Sequence, residues 1–388
     1  MSVTQEFRLQ GIDSLEEIEA GLTMVLARRN YDLAVHASAL SKRRGPLRDA
    51  AYLQLLLTWA RLSPDSNLRL LSNASTEVIP VLREACDYSV GIAAIATAGG
   101  IRVSDTQIPR PIALALGAPR VDAAFHGEYD ELIKGRQIDL LCVSGAERQY
   151  LKPLFDSPSP SGVKSKFGLK TTVKALAAKA APTAELDDQT VSALALLTHE
   201  LFENTQDHAT HQLDGTAYRR HVELLIAGWA VISDAESQND LLVNESLRDY
   251  WAALAAIQPQ QRQVQGLCFS FLDSGPGMAA RLAGKEYFDI PLDEERDALR
   301  TCLRMHVTSK REHGTGGGLR AVLSEVAQAF GFVRVRSGRQ AIFRSFAPGV
   351  DHGDVCENFE DWFGSERKLQ RVTGTLITVF IPVPRFAE

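Results

Sequence analysis

The chain has 388 residues, with 42 Lys plus Arg against 48 Asp plus Glu and a formal charge of −6. At ~150 residues per domain that length implies two or three domains, and 45% apolar with 23% charged residues excludes a disordered, fibrous or membrane-embedded chain. The acidic balance gives no indication of a nucleic-acid partner, and no segment reaches the ~18 uncharged apolar residues that span a bilayer. The start, Met1-Ser2-Val3-Thr4-Gln5-Glu6, lacks the basic and then apolar order of a signal peptide. Five cysteines, widely spaced and without a CxxC pair, read as reduced thiols packed in cores. The expectation is a soluble, cytoplasmic protein with no membrane partner.

In chain order, residues 32–39 and 67–72 read as short strands and 90–98 as a buried one, with helices over 46–62 and 76–87 between them. Such alternation implies a small α/β domain with a partly parallel sheet, spanning 1–155. Its outline loosely resembles STAS-type domains, and its role is not legible. Residues 156–168 hold the turn and small polar residues of an exposed connection. An Ala- and Lys-rich helix over 169–180 and a break at Ala181-Pro182-Thr183-Ala184 complete a linker, 156–184. Lys164, Lys166, Lys170, Lys174 and Lys179 give this helix a basic face that reads as solvated rather than as a nucleic-acid contact.

The C-terminal part, 185–388, opens with a long helix over 188–208, capped by Asp187 or Asp188. Strands are expected at 221–233, 266–273, 332–337, 341–346 and 373–383, and a helix at 318–330. The polar insert 234–263 carries a helical aromatic patch at Tyr250 and Trp251, either an interaction surface or a packed flap.

Three segments carry chemistry. In His199-Glu200-Leu201-Phe202-Glu203-Asn204-Thr205-Gln206-Asp207-His208, the helical period puts Glu200, Asn204 and Asp207 or His208 on one polar stripe. Val191, Leu194, Leu197 and Leu201 line the neighbouring face. An amide oxygen on such a stripe can ligate Mg²⁺, and a carboxylate one turn away can take a proton from a nucleophile. Alone, the pattern also suits a solvated helix face. In Phe271-Leu272-Asp273-Ser274-Gly275-Pro276-Gly277-Met278, an Asp at a strand end can accept from an exocyclic amine, and two glycines let backbone approach a planar base. Alone, it also reads as an ordinary turn.

The third is Thr308-Ser309-Lys310-Arg311-Glu312-His313-Gly314-Thr315-Gly316-Gly317-Gly318-Leu319, which runs into a helix. Its glycines free N–H groups to face anions at the positive end of the helix dipole, and Lys310 can reach a terminal phosphate as a point charge. It is not a Walker A loop, since no Gly-Lys-Ser/Thr closes it, nor a Rossmann turn, since a charged loop precedes the glycines. His208 and His211, three residues apart, have no obvious third metal ligand and read as surface or pocket-edge histidines.

Taken in order, these segments resemble the motifs of the Bergerat ATP-binding fold of the GHKL superfamily, which groups DNA gyrase, heat-shock chaperones, histidine kinases and MutL. Glu200-Leu201-Phe202-Glu203-Asn204 is similar to the N box, Asp273-Ser274-Gly275-Pro276-Gly277-Met278 to the first glycine box, and Gly314-Thr315-Gly316-Gly317-Gly318-Leu319 to the second. Gly374-Thr375, ahead of an apolar strand, is similar to the closing Gly-Thr strand. The resemblance covers residues 185–385. It implies an α+β sandwich binding ATP and Mg²⁺, with Asn204 on the metal, Asp273 on the adenine amine and Gly275, Gly277 and Met278 shaping the base pocket. Gly314 to Leu319 would receive the phosphates, Asp207 and His208 would border the nucleotide, and Thr375 would reach adenine through water. Residues 279–313 would be the ATP lid.

Glu200 decides between branches of that superfamily. Water and serine hydroxyls need a carboxylate base more than an imidazole does, so Glu200 favours hydrolysis or hydroxyl phosphorylation over a histidine autokinase. The leading expectation is a weak, Mg²⁺-dependent ATPase with Glu200 and Lys310 as catalytic groups, acting as a nucleotide-gated switch on the N-terminal domain or on a partner chain. A serine/threonine kinase of the anti-sigma type and a non-catalytic nucleotide-binding scaffold are the alternatives. By analogy with the superfamily, a homodimer is expected.

Overall fold

Short apolar strands alternating with helices build a parallel sheet in the first third of the chain. The computed structural model describes residues 5–144, 150–156, 162–182, 184, 186–232, 240, 244–257, 263–304 and 318–383. Strands β1 (Glu6–Arg8), β2 (Asp32–His36), β3 (Asn67–Leu71) and β4 (Gly100–Val103) pair in parallel in chain order, and β5 (Thr106–Ile108) returns antiparallel on β4. The crossovers are α1 (Leu15–Ala27), then α2 (Ala37–Ser41) with α3 (Pro46–Leu62), then α4 (Val78–Ala85) with α5 (Ser89–Thr97). Ser14 and Glu17 form a capping box that starts α1, and Pro46 opens α3.

Two expectations fail here. Residues 90–98 are not a strand but helix α5, and the fourth parallel strand is Gly100–Val103. Every residue of α5 is buried, so no polar face reveals a period, and an apolar run of that length reads equally as strand or helix. The strand expected over 32–39 ends at His36, where α2 begins.

Helices α6 (Arg110–Ala115), α7 (Ala118–His126) and α8 (Tyr129–Leu132) lead to β6 (Gln137–Ser144). The second sheet joins β6 to β7 (His221–Ile232), β8 (Val264–Asp273), β9 (Phe332–Gly338), β10 (Gln340–Ser345), β11 (Glu360–Asp361) and β12 (Val372–Pro382). Its order is β11-β10-β9-β12-β8-β7-β6, with every neighbouring pair antiparallel. Its helices are α9 (Lys166–Ala180), α10 (Asp188–His208), α11 (Glu245–Ile257), α12 (Met278–Ala283), α13 (Leu292–Arg304) and α14 (Gly318–Gln328), with a 3-10 turn at Tyr287–Asp289.

The boundary expected at 155 does not separate the sheets. Strand β6 lies before it, yet pairs along its whole length with β7, from Gln137 opposite Gly228 to Ser144 opposite His221. The described residues on either side of that stretch meet each other instead: Phe155 bridges Val163, and the Lys164 N–H donates to Leu154 O at 2.9 Å. Turn chemistry marks a reversal and carries no information about which sheet flanks it. The basic face of α9 is partly paired within the chain, Lys170 and Lys174 with Asp188 at 3.2 and 3.3 Å.

Period-2 alternation gives the second sheet two apolar faces. Leu225, Ala227, Phe269, Phe271, Ile377 and Val379 share a core with α9, α10 and α14. Val222, Leu224, Ile226, Cys268, Leu376 and Phe380 share the other core with α1, α3, α5 and the inner face of the first sheet. Helix α3, buried at 14 of its 17 residues, is therefore wrapped by protein on all sides. The aromatic patch at Tyr250 and Trp251 is a packed element. Trp251 meets Phe380 and Phe332 edge-on at 5.3 and 5.7 Å, and Tyr250 Oη donates to Phe330 O at 2.7 Å. All five cysteines are free thiols, four of them buried. Among the described residues, no helix is long and apolar enough to cross a membrane.

Candidate functional site

Helix α10 starts where Asp187 accepts from the Thr190 N–H at 2.6 Å. Val191, Leu194, Leu197 and Leu201 are buried as the period requires. The neighbouring stripe leaves Glu200, Asn204 and His208 partly exposed and Asp207 exposed. Burial pushes the Glu200 carboxyl upward; the neighbouring Glu203 adds to the shift, while His199 and Lys166 oppose it. A raised carboxyl pKa is what a general base working near neutrality requires.

One end of the second sheet carries a polar row that faces α10. Glu223 on β7 stands directly opposite Asp273 on β8, and Thr375 on β12 opposite Ser337 on β9. Two residues further along each strand, Leu225, Phe271, Ile377 and Val335 lie in the α10-side core, which fixes the direction of the row. Helix and row are joined by Gln206, whose amide donates to Glu223 Oε2 at 2.8 Å. Ser337 Oγ lies 3.2 Å from Thr375 Oγ1 and accepts from the Met278 N–H at 3.0 Å.

Burial pushes the Asp273 carboxyl up to about 6; the Gly275 N–H and His221 act against the shift, and Glu223 reinforces it. The turn that follows is shaped closely. Gly275 N–H donates to Asp273 Oδ1 at 2.8 Å, and a Cβ on Gly275 would stand 2.6 Å from Ala209 Cβ at the end of α10. Gly277 has φ +89°, and a Cβ there would stand 1.8 Å from the Tyr287 hydroxyl. Arg281 on α12 donates to His208 O at 2.7 Å and to Gln212 O at 3.2 Å, tying the start of the expected lid to the C-terminus of α10.

Of the sequence candidates, Glu200, Asn204, Asp207 and His208 thus share the last turns of α10, beside Asp273, Gly275, Gly277, Met278 and Thr375. Lys310, Gly314, Thr315, Gly316 and Gly317 lie outside the described residues. Gly318 begins α14 and Leu319 packs at the edge of the α10-side core. Gln189 near the start of α10 bonds Gln328 at the end of α14, at 2.5 Å, and the two helices pack on each other. In the described part of the expected lid, 279–304, the chain is largely helical and packed. Buried Glu295 on α13 accepts from the N–H and from Nε of Arg339, both at 2.6 Å, and Gln340 donates to Leu292 O.

Sequence reasoning missed Gln206, His221, Glu223, Tyr287 and Ser337. A signal existed for two of them, since His221 and Glu223 are polar residues two apart on one face of an otherwise apolar strand. For Tyr287 and Ser337 there was none. Among the described residues, no three His, Cys, Asp or Glu side chains converge on a metal position. A hard divalent cation here would depend on Asn204 and on ligand oxygens rather than on a protein cage. Comparison with family models, with curated proteins and with solved structures gives no match, so the functional reading rests on these residues alone.

Proposed function

We propose that the chain is a Mg²⁺-dependent ATP-binding protein of the GHKL type with weak ATPase activity, its nucleotide held between α10 and the polar end of the second sheet in a Bergerat arrangement. The observation that carries this reading is that the C-terminal end of α10, the helix that bears Glu200 and Asn204, meets the Asp273 strand end: Gln206 donates to Glu223, which stands opposite Asp273, and a Cβ on Gly275 would collide with Ala209 at the end of the helix. Asp273 offers an acceptor for an exocyclic amine. Gly277, where a side chain would collide with Tyr287, keeps the backbone bare beside it. Asn204 supplies an amide oxygen suited to Mg²⁺, and Glu200 a carboxylate raised towards the range of a general base. ATP with its Mg²⁺ would supply the electrophilic γ-phosphorus; the chain's own residues orient the base, hold the cation and accept a proton from the nucleophile.

Because one core spans both halves of the molecule, the N-terminal half has little freedom to swing as a rigid body. A nucleotide-dependent output is therefore directed at a partner or a second copy. The test is calorimetry with ATP, ADP and GTP in the presence of Mg²⁺, alongside phosphate release. Wild-type protein should bind adenine nucleotides, and Asn204→Ala should lose the Mg²⁺-dependent part of that affinity. Absence of heat with every adenine nucleotide would overturn the reading.

A further inference from the structure

Helix α3 belongs to the N-terminal half, yet one of its faces ends at the nucleotide turns. Gln54, Thr58 and Arg61 follow at i, i+4 and i+7 and so form a single stripe. The Gln54 amide donates to Thr373 O and to Arg336 O, both at 3.2 Å. Thr58 Oγ1 accepts from the Thr373 N–H at 3.0 Å while its own hydrogen goes to Gln54 O at 2.7 Å. Arg61 donates to Ser274 O at 2.9 Å, and its guanidinium lies 3.8 Å from the centre of the Tyr218 ring. Gln54 and Thr58 are fully buried, so these contacts have no competing water.

The two segments gripped in this way carry Asp273 and Thr375. Thr373 immediately precedes Gly374-Thr375, and Ser274 immediately follows Asp273. They also touch each other: the Gly374 N–H donates to Gly275 O at 2.8 Å. Gly374, at φ +71°, approaches so closely that a Cβ there would lie 1.8 Å from Asp273 O. With so little slack, the separation of the Asp273 carboxylate and the Thr375 hydroxyl is set by whatever fixes the two backbones, and α3 bonds to both.

We infer that Gln54, Thr58 and Arg61 are positioning residues of the nucleotide site, holding the Asp273 turn and the Gly374-Thr375 turn at the spacing that reads the edge of an adenine base. The inference rests on the ATP-binding reading above and names the part of the chain that confers its base selectivity. Among the described residues, none of the hydrogen bonds of the three goes to α10, which separates their role from that of Asn204 or Glu200.

The experiment compares wild type, Arg61→Met, Arg61→Lys and Thr58→Val for binding of ATP, GTP and inorganic tripolyphosphate, each with Mg²⁺, and for steady-state ATP turnover. Loss of one such hydrogen bond should weaken ATP binding about tenfold. The ATP-to-GTP preference should fall by a similar factor, KM should rise and kcat should hold. Tripolyphosphate, which has no base, should bind each variant as it binds wild type, which also reports that the variant is folded. Arg61→Lys should recover part of the loss; Thr58→Val, close in shape, tests the same claim with little change in volume. Equal ATP affinity in wild type and both Arg61→Met and Thr58→Val would overturn the inference while leaving ATP binding intact. So would parallel losses of ATP and tripolyphosphate. A wild type that binds tripolyphosphate but shows no preference for ATP over GTP would overturn the base-reading assignment itself.

Discussion

The Arg336 guanidinium of strand β9 is bound by both oxygens of the Glu19 carboxylate on helix α1, at 2.8 and 3.0 Å, with both side chains buried. The two residues are 317 positions apart, and the pair sits in the shared layer between the parallel sheet and the antiparallel one. Arg336 also donates to Gly338 O and Gln370 O, each at 2.6 Å, so its donors are well used. A buried pair of this kind contributes little against an apolar replacement of both partners, but removing one partner strands a charge. Glu19→Ala should therefore lower stability by about 3–5 kcal/mol. Urea unfolding followed by fluorescence and by circular dichroism should show one coincident transition for wild type, since no seam in the core divides the halves. Two separate transitions would contradict a core shared between the halves.

Asp273 carries opposing requirements. Burial shifts its carboxyl from an ordinary value near 3.8 to about 6, so the folded chain holds a proton that the unfolded chain has released. The contribution of Asp273 to stability is then greatest below pH 3.8 and declines as pH rises towards 6, by at most about 3 kcal/mol for a shift of this size. Asp273→Asn removes that decline. The variant should resist urea better than wild type at pH 8 and about equally at pH 4, while losing adenine nucleotide affinity at pH 8, where the wild-type carboxylate is formed. Wild-type affinity for ATP should rise with pH through about 6 as the carboxylate forms. A variant less stable than wild type at pH 8 would contradict the desolvation argument.

Glu200 should separate binding from turnover. Glu200→Gln keeps the shape of the side chain and removes the proton acceptor, so ATP affinity should be held while phosphate release falls by about 10²- to 10⁴-fold. Because burial raises its pKa, the wild-type rate should drop as pH falls through a value above the ordinary 4.5. Undiminished hydrolysis by the variant would remove Glu200 from the reaction, and a γ-phosphate recovered on protein would assign the acceptor to a hydroxyl.

Trp251 should behave as a core residue although it lies in a polar insert. Its ring packs on Phe332 and Phe380, so Trp251→Ala should cost about 3–5 kcal/mol. Phe167, 80% exposed at the start of α9, should tolerate Ser within about 0.5 kcal/mol. Thermal denaturation of the two variants gives the contrast directly.

Some of this architecture was legible in the chain itself. Helix α3 has the expected bounds, 46–62, because Gly45-Pro46 can only begin a helix and Ser63-Pro64 follows its last turn. Helix α10 likewise runs from its Asp187 cap to His208, with the apolar stripe pointing inward. The Asp273 turn could be identified by composition, since Ser-Gly-Pro-Gly at a strand end leaves few conformations open. Helix α5 could not be identified, because burial on every side erases the period that separates helix from strand. Strand β6 could be recognised as apolar but not assigned, since nothing local says which of two sheets it will extend.

Local chemistry was thus determined by the sequence alone: an amide and a carboxylate on one helical stripe, an acceptor at a strand end, and glycines in the turn that follows it. Only the tertiary structure decided that Glu223, Asp273, Thr375 and Ser337 form one row, and that Gln54, Thr58 and Arg61 from the other half lie beneath it. Periodicity tells which face of an element is apolar. The neighbour that covers that face is chosen by packing among residues hundreds of positions apart, and that choice is not written in any single segment.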